Sequence, residues 1–358
     1  MARGRPVTHR VDRLRGALDS LGAASFLVTN PVDVRWLTGF ESSNAALVVG
    51  RDRVILLTDG RYQEAARAVE GVEVVPAERA LTRDIGRRLG DLAEAPVAFQ
   101  ADHVTVAARE ELSSGGAELV PARDVLVRLR AVKEEEELEA MRRAARIADD
   151  AYARLAREAF TGRTEADLAW TMERFLHEEG GDDVAFPVIV ASGPNAAFPH
   201  HHPGERRVLS GETVIVDAGA RLDGYCSDCT RTFATGKLPD ELRRAYALCR
   251  SAQEKALAAV RVGVAGHELV AIARREIEEA GLAEVVHGLG HGVGLEVHEL
   301  PVLRPEAEGG PVAGNVVTVE PGVYLPGRGG VRIEDLVVVG QDGVEVLTPF
   351  TKDLLTLD

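Results

Sequence analysis

Three apolar, strand-patterned runs each carry a carboxylate in or just after the run: Val214-Ile-Val-Asp217, Val316-Val-Thr-Val-Glu320 and Val331-Arg-Ile-Glu334. Strands this rich in Val and Ile are buried, and a buried Asp or Glu is costly unless something neutralises it. The fold must therefore bring positive charge or protons to these acids. Asp228 follows Asp217 across Ala218-Gly-Ala-Arg-Leu-Asp-Gly224, a glycine-containing segment able to turn the chain into an antiparallel partner strand. The two Asp side chains would then face each other. Carboxylates ~4 Å apart repel by about 4 kcal/mol at an effective dielectric of roughly 20, so convergence requires cations or protons between them. Divalent metal is the natural solution.

A nitrogen donor for such a site is available in His287-Gly-Leu-Gly-His291-Gly-Val-Gly-Leu-Glu-Val-His298, whose glycines let backbone approach a crowded centre. The segment is no phosphate cradle, because G-x-G-x-x-G fails in both frames and no Walker lysine follows. Nor is it H-E-x-x-H. His287 and His291 have that separation, but Gly288 stands where Glu is needed, and His267-Glu268 is followed by Ala271 in place of a second His. Asp217, Asp228, His291, Glu320 and Glu334 together offer four negative charges and one neutral imidazole. Two divalent cations balance them, and oxygen-rich ligands with one imidazole suit Mn(II) first, with Co(II) or Zn(II) as alternatives.

Composition excludes several other classes. A chain of 358 residues favours two domains, at roughly 150 residues each. With 45% hydrophobic and 28% charged residues, and no apolar run near the roughly eighteen needed to span a bilayer, it reads as globular, without a membrane partner. Lys+Arg 42 against Asp+Glu 57 leaves a net charge of −15, which repels phosphate backbones and argues against nucleic acid. Cys226, Cys229 and Cys249 are too few for a disulfide framework. The N-terminal Arg3, Arg5, Arg10, Arg13 and Arg15 are followed by no adequate apolar stretch, so a cytoplasmic location is expected.

Along the chain, Ser25-Phe-Leu-Val-Thr, Ala46-Leu-Val-Val and Arg53-Val-Ile-Leu-Leu-Thr alternate with helical stretches at 60–70 and 82–93, predicting a small α/β domain up to about residue 130. A long helix then opens at Lys133-Glu-Glu-Glu-Glu137, read as a solvated acidic start. Leu138, Met141, Ala145, Ala148, Tyr152, Leu155 and Ala159 form its apolar stripe. Thr164 with Asp167 has the capping-box pattern of a second helix, which stops at Gly180-Gly181. Strands follow to about Thr235. The order recurs as helices near 239–260 and 266–280, then strands at 314–320, 331–339 and 344–348. This predicts a domain with an internal pseudo-twofold and one shared sheet layer.

Gly193-Pro-Asn-Ala-Ala-Phe-Pro-His200, Asp217-Ala-Gly-Ala, Tyr225-Cys-Ser-Asp228-Cys-Thr-Arg231-Thr, the stretch from His287 to His298, Thr318-Val-Glu320-Pro-Gly-Val-Tyr324 and Gly330-Val-Arg-Ile-Glu334-Asp carry a family likeness. Through them the chain resembles the Xaa-Pro peptidases, aminopeptidase P and prolidase, of the creatinase/methionine aminopeptidase superfamily. The resemblance implies an α+β pita-bread catalytic domain over 131–358. A smaller creatinase-type α/β domain over 1–130 is implied through Asn30-Pro31, Trp36-Leu-Thr-Gly-Phe40 and Thr58-Asp-Gly-Arg-Tyr62.

By the same resemblance, Asp217 chelates one metal, His291 and Glu320 bind the other, and Asp228 and Glu334 bridge. A water shared by the metals would attack the scissile carbonyl while Glu320 shuttles its proton to the proline nitrogen, which carries no hydrogen of its own. His200 and His298 would hold substrate and stabilise the oxyanion, with His287 and Arg332 behind them. The implied activity is cleavage of an Xaa-Pro bond at the N-terminus of proline-containing peptides, by a homodimer. An Xaa-Pro aminopeptidase is the first reading and an Xaa-Pro dipeptidase the alternative. Metal-free hydrolysis of a small molecule such as creatine, or a non-catalytic peptide-binding module of the same fold, would each require a broken ligand set. The C-x-x-C of Cys226 and Cys229 lies in a strand pattern with no second pair, so buried structural thiols are expected. His201 and His202 are expected at the surface, and Trp36 and Tyr62 in core packing rather than in a neighbouring subunit's site.

Overall fold

The protein's structure, a computed structural model, describes residues 8–281, 287–307 and 309–358; Arg3 and Arg5 of the basic N-terminal run lie outside the described residues. The chain divides into two units, Met1–Arg130 and Ala131–Asp358. In the first, strands β1 (Ser25–Val28), β2 (Ala45–Gly50), β3 (Val54–Thr58), β4 (Glu73–Pro76), β5 (Val97–Gln100) and β6 (Leu119–Ala122) make one sheet in the order β4-β3-β2-β1-β5-β6. Its apolar runs are buried on both faces, as strands covered by helices are. The helices are α1 (Thr8–Leu21), α2 (Pro31–Thr38), α3 (Gln63–Ala66), α4 (Leu81–Leu92), α5 (Val106–Leu112) and α6 (Val125–Ala131). Leu27, Val48, Ile55 and Phe99 pack on Ile85 and Leu89 of α4 and Leu112 of α5.

Asn30 caps α2 by accepting from Val32 N, Pro31 opens it, and Gly39 closes it at φ 70°. Buried Asp33 is paired with Arg130 at 2.7 Å and accepts from the Gln100 amide at 2.6 Å. Trp36 is buried, with the Arg10 and Arg13 guanidinium carbons 5.1 and 5.5 Å from its ring centroid. The helix expected over 60–70 shrinks to α3, because the Asp59 carboxylate takes Arg61 N and the Arg61 guanidinium into a turn.

The second unit runs helix, helix, strands twice. First come α7 (Glu135–Leu155), α8 (Glu165–Glu178), β7 (Asp183–Val184), β8 (Ile189–Ser192), β9 (Thr213–Ala218), β10 (Ala220–Leu222), β11 (Tyr225–Cys226) and β12 (Cys229–Ala234). Then follow α9 (Asp240–Ala259), α10 (Gly266–Glu279), β13 (Gly290–Gly292), β14 (Glu299–Leu303), β15 (Val316–Val319), β16 (Gly322–Leu325), β17 (Gly329–Arg332), β18 (Asp335–Val339) and β19 (Val344–Val346). Each helix pair covers its own strands. Tyr152, Leu155, Leu168 and Met172 pack on Val214, Val216 and Phe233, while Cys249, Leu269 and Ile277 pack on Val317, Val319 and Val331.

The expected single sheet layer is drawn as separate ladders: β12-β9-β8, β14-β13-β15-β18-β19, β16-β17 and β11-β10-β7. Bonds from β12 join the halves. Glu334 N donates to Thr230 O at 3.1 Å, and Thr232 Oγ1 donates to Arg332 O at 2.8 Å. The strand expected over 331–339 therefore breaks at Ile333-Glu334, where the chain turns its hydrogen bonds toward β12.

Two local expectations are corrected in α7. The helix ends at Leu155, so Ala159 is exposed and Phe160 fills the core in its place. The acidic start is not wholly solvated: Glu137 is buried, receiving Glu134 N and the Tyr225 hydroxyl at 2.9 Å each. At α8, Thr164 accepts from Asp167 N as the capping pattern requires, but the Asp167 carboxylate goes to Arg163 at 2.6 Å.

Candidate active site

Strand alternation aims the acids. On β9, Val214, Val216 and Ala218 enter the helix-covered core, which leaves Ile215 and Asp217 on the other face. On β12, Cys229 and Phe233 are core residues, so Asp228, Thr230 and Thr232 share the opposite face. In the second half Val317, Val319, Val331 and Ile333 are core, turning Thr318, Glu320, Arg332 and Glu334 the other way. The antiparallel pairing of Asp217 with Thr230 places Asp228 just beyond the partner strand, after the Asp223-Gly224 turn of β10 and β11. Both turn residues have positive φ, 50° and 81°, the pattern of a tight two-residue hairpin.

Close packing explains the glycines around His291. A Cβ on Gly290 would meet Thr318 O at 2.0 Å, and one on Gly292 would meet Leu300 O at 2.2 Å. The ladder bulges between His291 and Gly292, which re-aims the imidazole. A carbonyl only accepts, so the 3.1 Å contact of His291 Nδ1 with Gly292 O puts the proton on Nδ1. Nε2 is then a free lone pair, 3.6 Å from Asp228 Oδ2 and 3.4 Å from Glu320 Oε1.

One ligand atom from each of Asp228, His291 and Glu334 lies within 4.8 Å of the others. Asp217 is held by Arg332, whose Nη2 donates to Oδ2 at 2.6 Å; Oδ1 is buried with no hydrogen-bond partner among the described residues. Burial, then repulsion from Glu334, Asp217 and Glu320, pushes the Asp228 carboxyl well above the usual range. Burial likewise raises Glu334, then Glu320 and Asp217 repel it. Glu320 is raised chiefly by burial. An orphaned carboxylate oxygen beside three acids held toward their protonated forms is the electrostatic signature of a site built for cations. The donor chemistry of Asp228, His291 and Glu334, with Glu320 3.4 Å from His291 Nε2, fits divalent metal.

The remaining predicted residues sit around this group at differing distances. His298 is exposed, its ring centroid 4.4 Å from that of His291. His200 is exposed, at the end of the segment that follows the Gly193–Ala197 turn. His287 donates from Nδ1 to Gly288 O, so its Nε2 accepts from the Tyr324 hydroxyl at 2.9 Å. Tyr324 in turn accepts from Arg332 Nη1 at 3.2 Å. Burial lowers the imidazoles of His287, His291 and His298, favouring their neutral forms.

Several partners were not singled out from sequence. Thr230 donates to Glu334 Oε2 at 2.6 Å, and Thr318 to Glu320 Oε1 at 3.2 Å. Their signal was available: each stands two residues from an acid on the same strand face. His201, expected at the surface, is partly buried with Nε2 2.8 Å from Glu165 Oε2. Cys226 and Cys229, flanking Asp228, are buried in separate core clusters, and burial pushes Cys226 up to about 11 and Cys229 well above its usual value.

Residues 139–341 match metallopeptidase family M24, and residues 10–132 match the creatinase/prolidase N-terminal domain. The chain belongs to metallopeptidase family M24. It is an enzyme of the Xaa-Pro peptidase group within the creatinase superfamily, with that superfamily's two-domain architecture and pita-bread catalytic fold. Among its relatives, an uncharacterized peptidase, YqhT, of Bacillus subtilis is 34% identical, covering 97% of this chain and 100% of that one. The structure of an Xaa-Pro dipeptidase from Bacillus anthracis superposes with a TM-score of 0.94 at 33% identity, covering 98% and 100% of the two chains. That of an X-Pro aminopeptidase from Thermotoga maritima gives 0.88 at 31%, covering 97% and 99%. M24 metallopeptidases use divalent metals, which agrees with the acids gathered around His291.

Proposed function

We propose that this M24 metallopeptidase hydrolyses Xaa-Pro dipeptides, releasing the residue ahead of proline. The convergence of Asp228, His291 and Glu334 with Glu320 carries the hydrolytic part of the reading. The likeness to an Xaa-Pro dipeptidase over nearly the whole chain supports the dipeptide. Cleavage of the same bond in longer peptides, the first expectation from sequence, stands second, favoured by the likeness to an X-Pro aminopeptidase.

Asp217, Asp228, His291, Glu320 and Glu334 would hold two divalent ions, Mn(II) first and Co(II) or Zn(II) as alternatives, with Asp228 and Glu334 shared between them. When bound, such ions acidify water and polarise the scissile carbonyl. Glu320, raised by burial and steadied by Thr318, is the group to accept the proton of the attacking water. The proline nitrogen leaves without a hydrogen, so as the C–N bond breaks Glu320 returns that proton to it. His200 and His298, both exposed, with His298 against the His291 ring, would orient the substrate and donate to the carbonyl oxygen as negative charge develops. Arg332 fixes Asp217, and through Tyr324 it orders His287. We include a cytoplasmic location, supported by three free buried thiols, and a homodimer.

The test is to strip the full chain of metal, reload it with Mn(II), Co(II) or Zn(II), and assay Gly-Pro beside Gly-Pro-Ala. Turnover of Gly-Pro far above the tripeptide is expected. Turnover of the tripeptide alone would replace this reading with the aminopeptidase, and hydrolysis of neither under any metal would overturn both. Sedimentation of the same preparation checks the dimer.

A further inference from the structure

Behind the acid-bearing strands, on their core face, lies the segment 348–352. It touches the ligand strands through two buried side chains. Tyr152 of α7, fully buried, donates its hydroxyl to the carbonyls of Val216 at 3.0 Å and Cys229 at 2.7 Å. Those residues adjoin Asp217 and Asp228. Phe350 stacks on the Tyr152 ring, with centroids 5.6 Å apart and planes 28° from parallel.

Arg231 is the second side chain, and every nitrogen of its guanidinium is engaged. Nη1 donates to the carbonyls of Glu334 and, at 3.0 Å, Thr230. Nη2 donates to Thr348 O at 2.9 Å, Phe350 O at 2.6 Å and Asp335 Oδ1 at 2.9 Å, while Nε reaches Phe350 O at 3.1 Å and Thr351 O at 3.2 Å. Asp335, the residue after Glu334, also receives Lys352 Nζ at 2.6 Å and Gln253 Nε2 at 2.9 Å. One guanidinium thus ties the backbone at Thr230 and Glu334 to three carbonyls of the segment.

We propose that the segment 348–352, acting through Arg231 and Tyr152, sets the spacing of Asp217, Asp228 and Glu334 and thereby the affinity of the centre for divalent metal. The inference rests on the two-ion reading above. Carboxylates brought together before a cation arrives repel one another, and strands free to shift would spread them apart. Arg231 resists that spreading by gripping the carbonyl of Glu334 and leaving its carboxylate available. Arg332 differs, since it occupies an oxygen of Asp217 directly. Tyr152 restrains the other two acids by bonding the carbonyls beside them, and Phe350 fixes the orientation of its ring. Arg231, Tyr152 and Phe350 are positioning residues in this scheme.

The experiment titrates Mn(II) into the metal-stripped full chain by calorimetry and records thermal unfolding of the same metal-free samples. Arg231→Lys and Phe350→Leu should weaken Mn(II) binding by about 10- to 100-fold, the usual effect of losing a group that orients a ligand. Arg250→Ala, which removes the exposed pairs with Glu254 and Asp353, should bind as the parent does. A loss of thermal stability with unchanged Mn(II) affinity would show the segment to be purely structural and overturn the inference. If Arg231→Lys does not fold, Phe350→Leu and Lys352→Met decide by the same two outcomes. A parent chain that takes up no divalent ion overturns the two-ion reading and this inference with it; a parent that binds while its variants bind equally overturns the inference alone.

Discussion

Arg332 Nη2 lies 2.6 Å from Asp217 Oδ2, and the other oxygen of that carboxylate is buried without a hydrogen-bond partner among the described residues. The same guanidinium donates to Thr230 Oγ1 at 3.2 Å, to Pro199 O at 3.0 Å and to the Tyr324 hydroxyl at 3.2 Å. It therefore ties an acid of the first half to the loop that carries His200. A lysine keeps the charge but cannot make this fork. Arg332→Lys should lower kcat/KM by about 10- to 100-fold while the chain stays folded, as steady-state kinetics with circular dichroism would check. Kinetics indistinguishable from the parent would remove Arg332 from the machinery.

Asp228 is the most directly testable of the acids, because its carboxylate lies 3.6 Å from His291 Nε2 and has an oxygen within 4.8 Å of one on Glu334. Asp228→Asn preserves its shape and removes its charge. Metal content, read by elemental analysis after dialysis, and Gly-Pro turnover should fall together. Full activity in this variant contradicts a shared ligand.

The metal-free chain should lose stability as pH rises from the ordinary carboxylate range. Asp228 and Glu334 are raised in the folded state, so between their unfolded and folded values the folded chain holds more protons, and each added pH unit favours unfolding. The lowered histidines act in the opposite sense, gaining stability as pH climbs through their unfolded value. Comparing parent and Asp228→Asn by denaturant titration at several pH values isolates the acid: the variant's stability should decline less steeply. Calorimetry in buffers of different protonation enthalpy should also show protons released on Mn(II) uptake.

How far these features could be read from the chain depends on the range of the interactions. The acids of β9, β15 and β17 were legible because an Asp or Glu breaks a Val-Ile alternation, a purely local signal. Thr164 as a helix cap was local too. By contrast Glu165 looks like any first-turn acid, yet its carboxylate is met by Ser192, Asn195, His201 and Gly204 from across a long loop. Ala159 fitted the helical stripe, but the end of α7 is set by Phe160 entering the core against Phe233. The break at Ile333-Glu334 likewise follows from pairing with β12, which no property of residues 331–339 foretells.

Glu165 has its own consequence. It is fully buried and receives Ser192 N at 2.8 Å, Ser192 Oγ at 2.7 Å and His201 Nε2 at 2.8 Å, among others, fixing the loop that presents His200. In Glu165→Gln an NH2 would face those donors, leaving about 1–3 kcal/mol of unmet hydrogen bonding. Chemical denaturation should register that loss, and KM should rise with Mn(II) affinity unchanged. Altered metal affinity would show that the loop is not the element Glu165 controls.

Asp149, which accepts from Phe350 N behind the acid-bearing strands, offers a stability prediction. Burial raises its carboxyl to about 6, against a hydrogen bond from Phe350 N at 3.2 Å that favours the charged form. The folded chain thus binds a proton that the unfolded chain has released between about pH 4 and 6, and stability falls across that window as pH rises. An asparagine keeps an oxygen to accept from Phe350 N and carries no charge to desolvate. Two pKa units correspond to roughly 3 kcal/mol, and the partial exposure of the group reduces this to about 1–2 kcal/mol. Asp149→Asn should match the parent near pH 4 and exceed it by that margin at pH 7, measured by urea unfolding of the two proteins side by side. An equal or lower stability at pH 7 would mean that the ionised carboxylate is stabilised by Arg231 more strongly than burial penalises it.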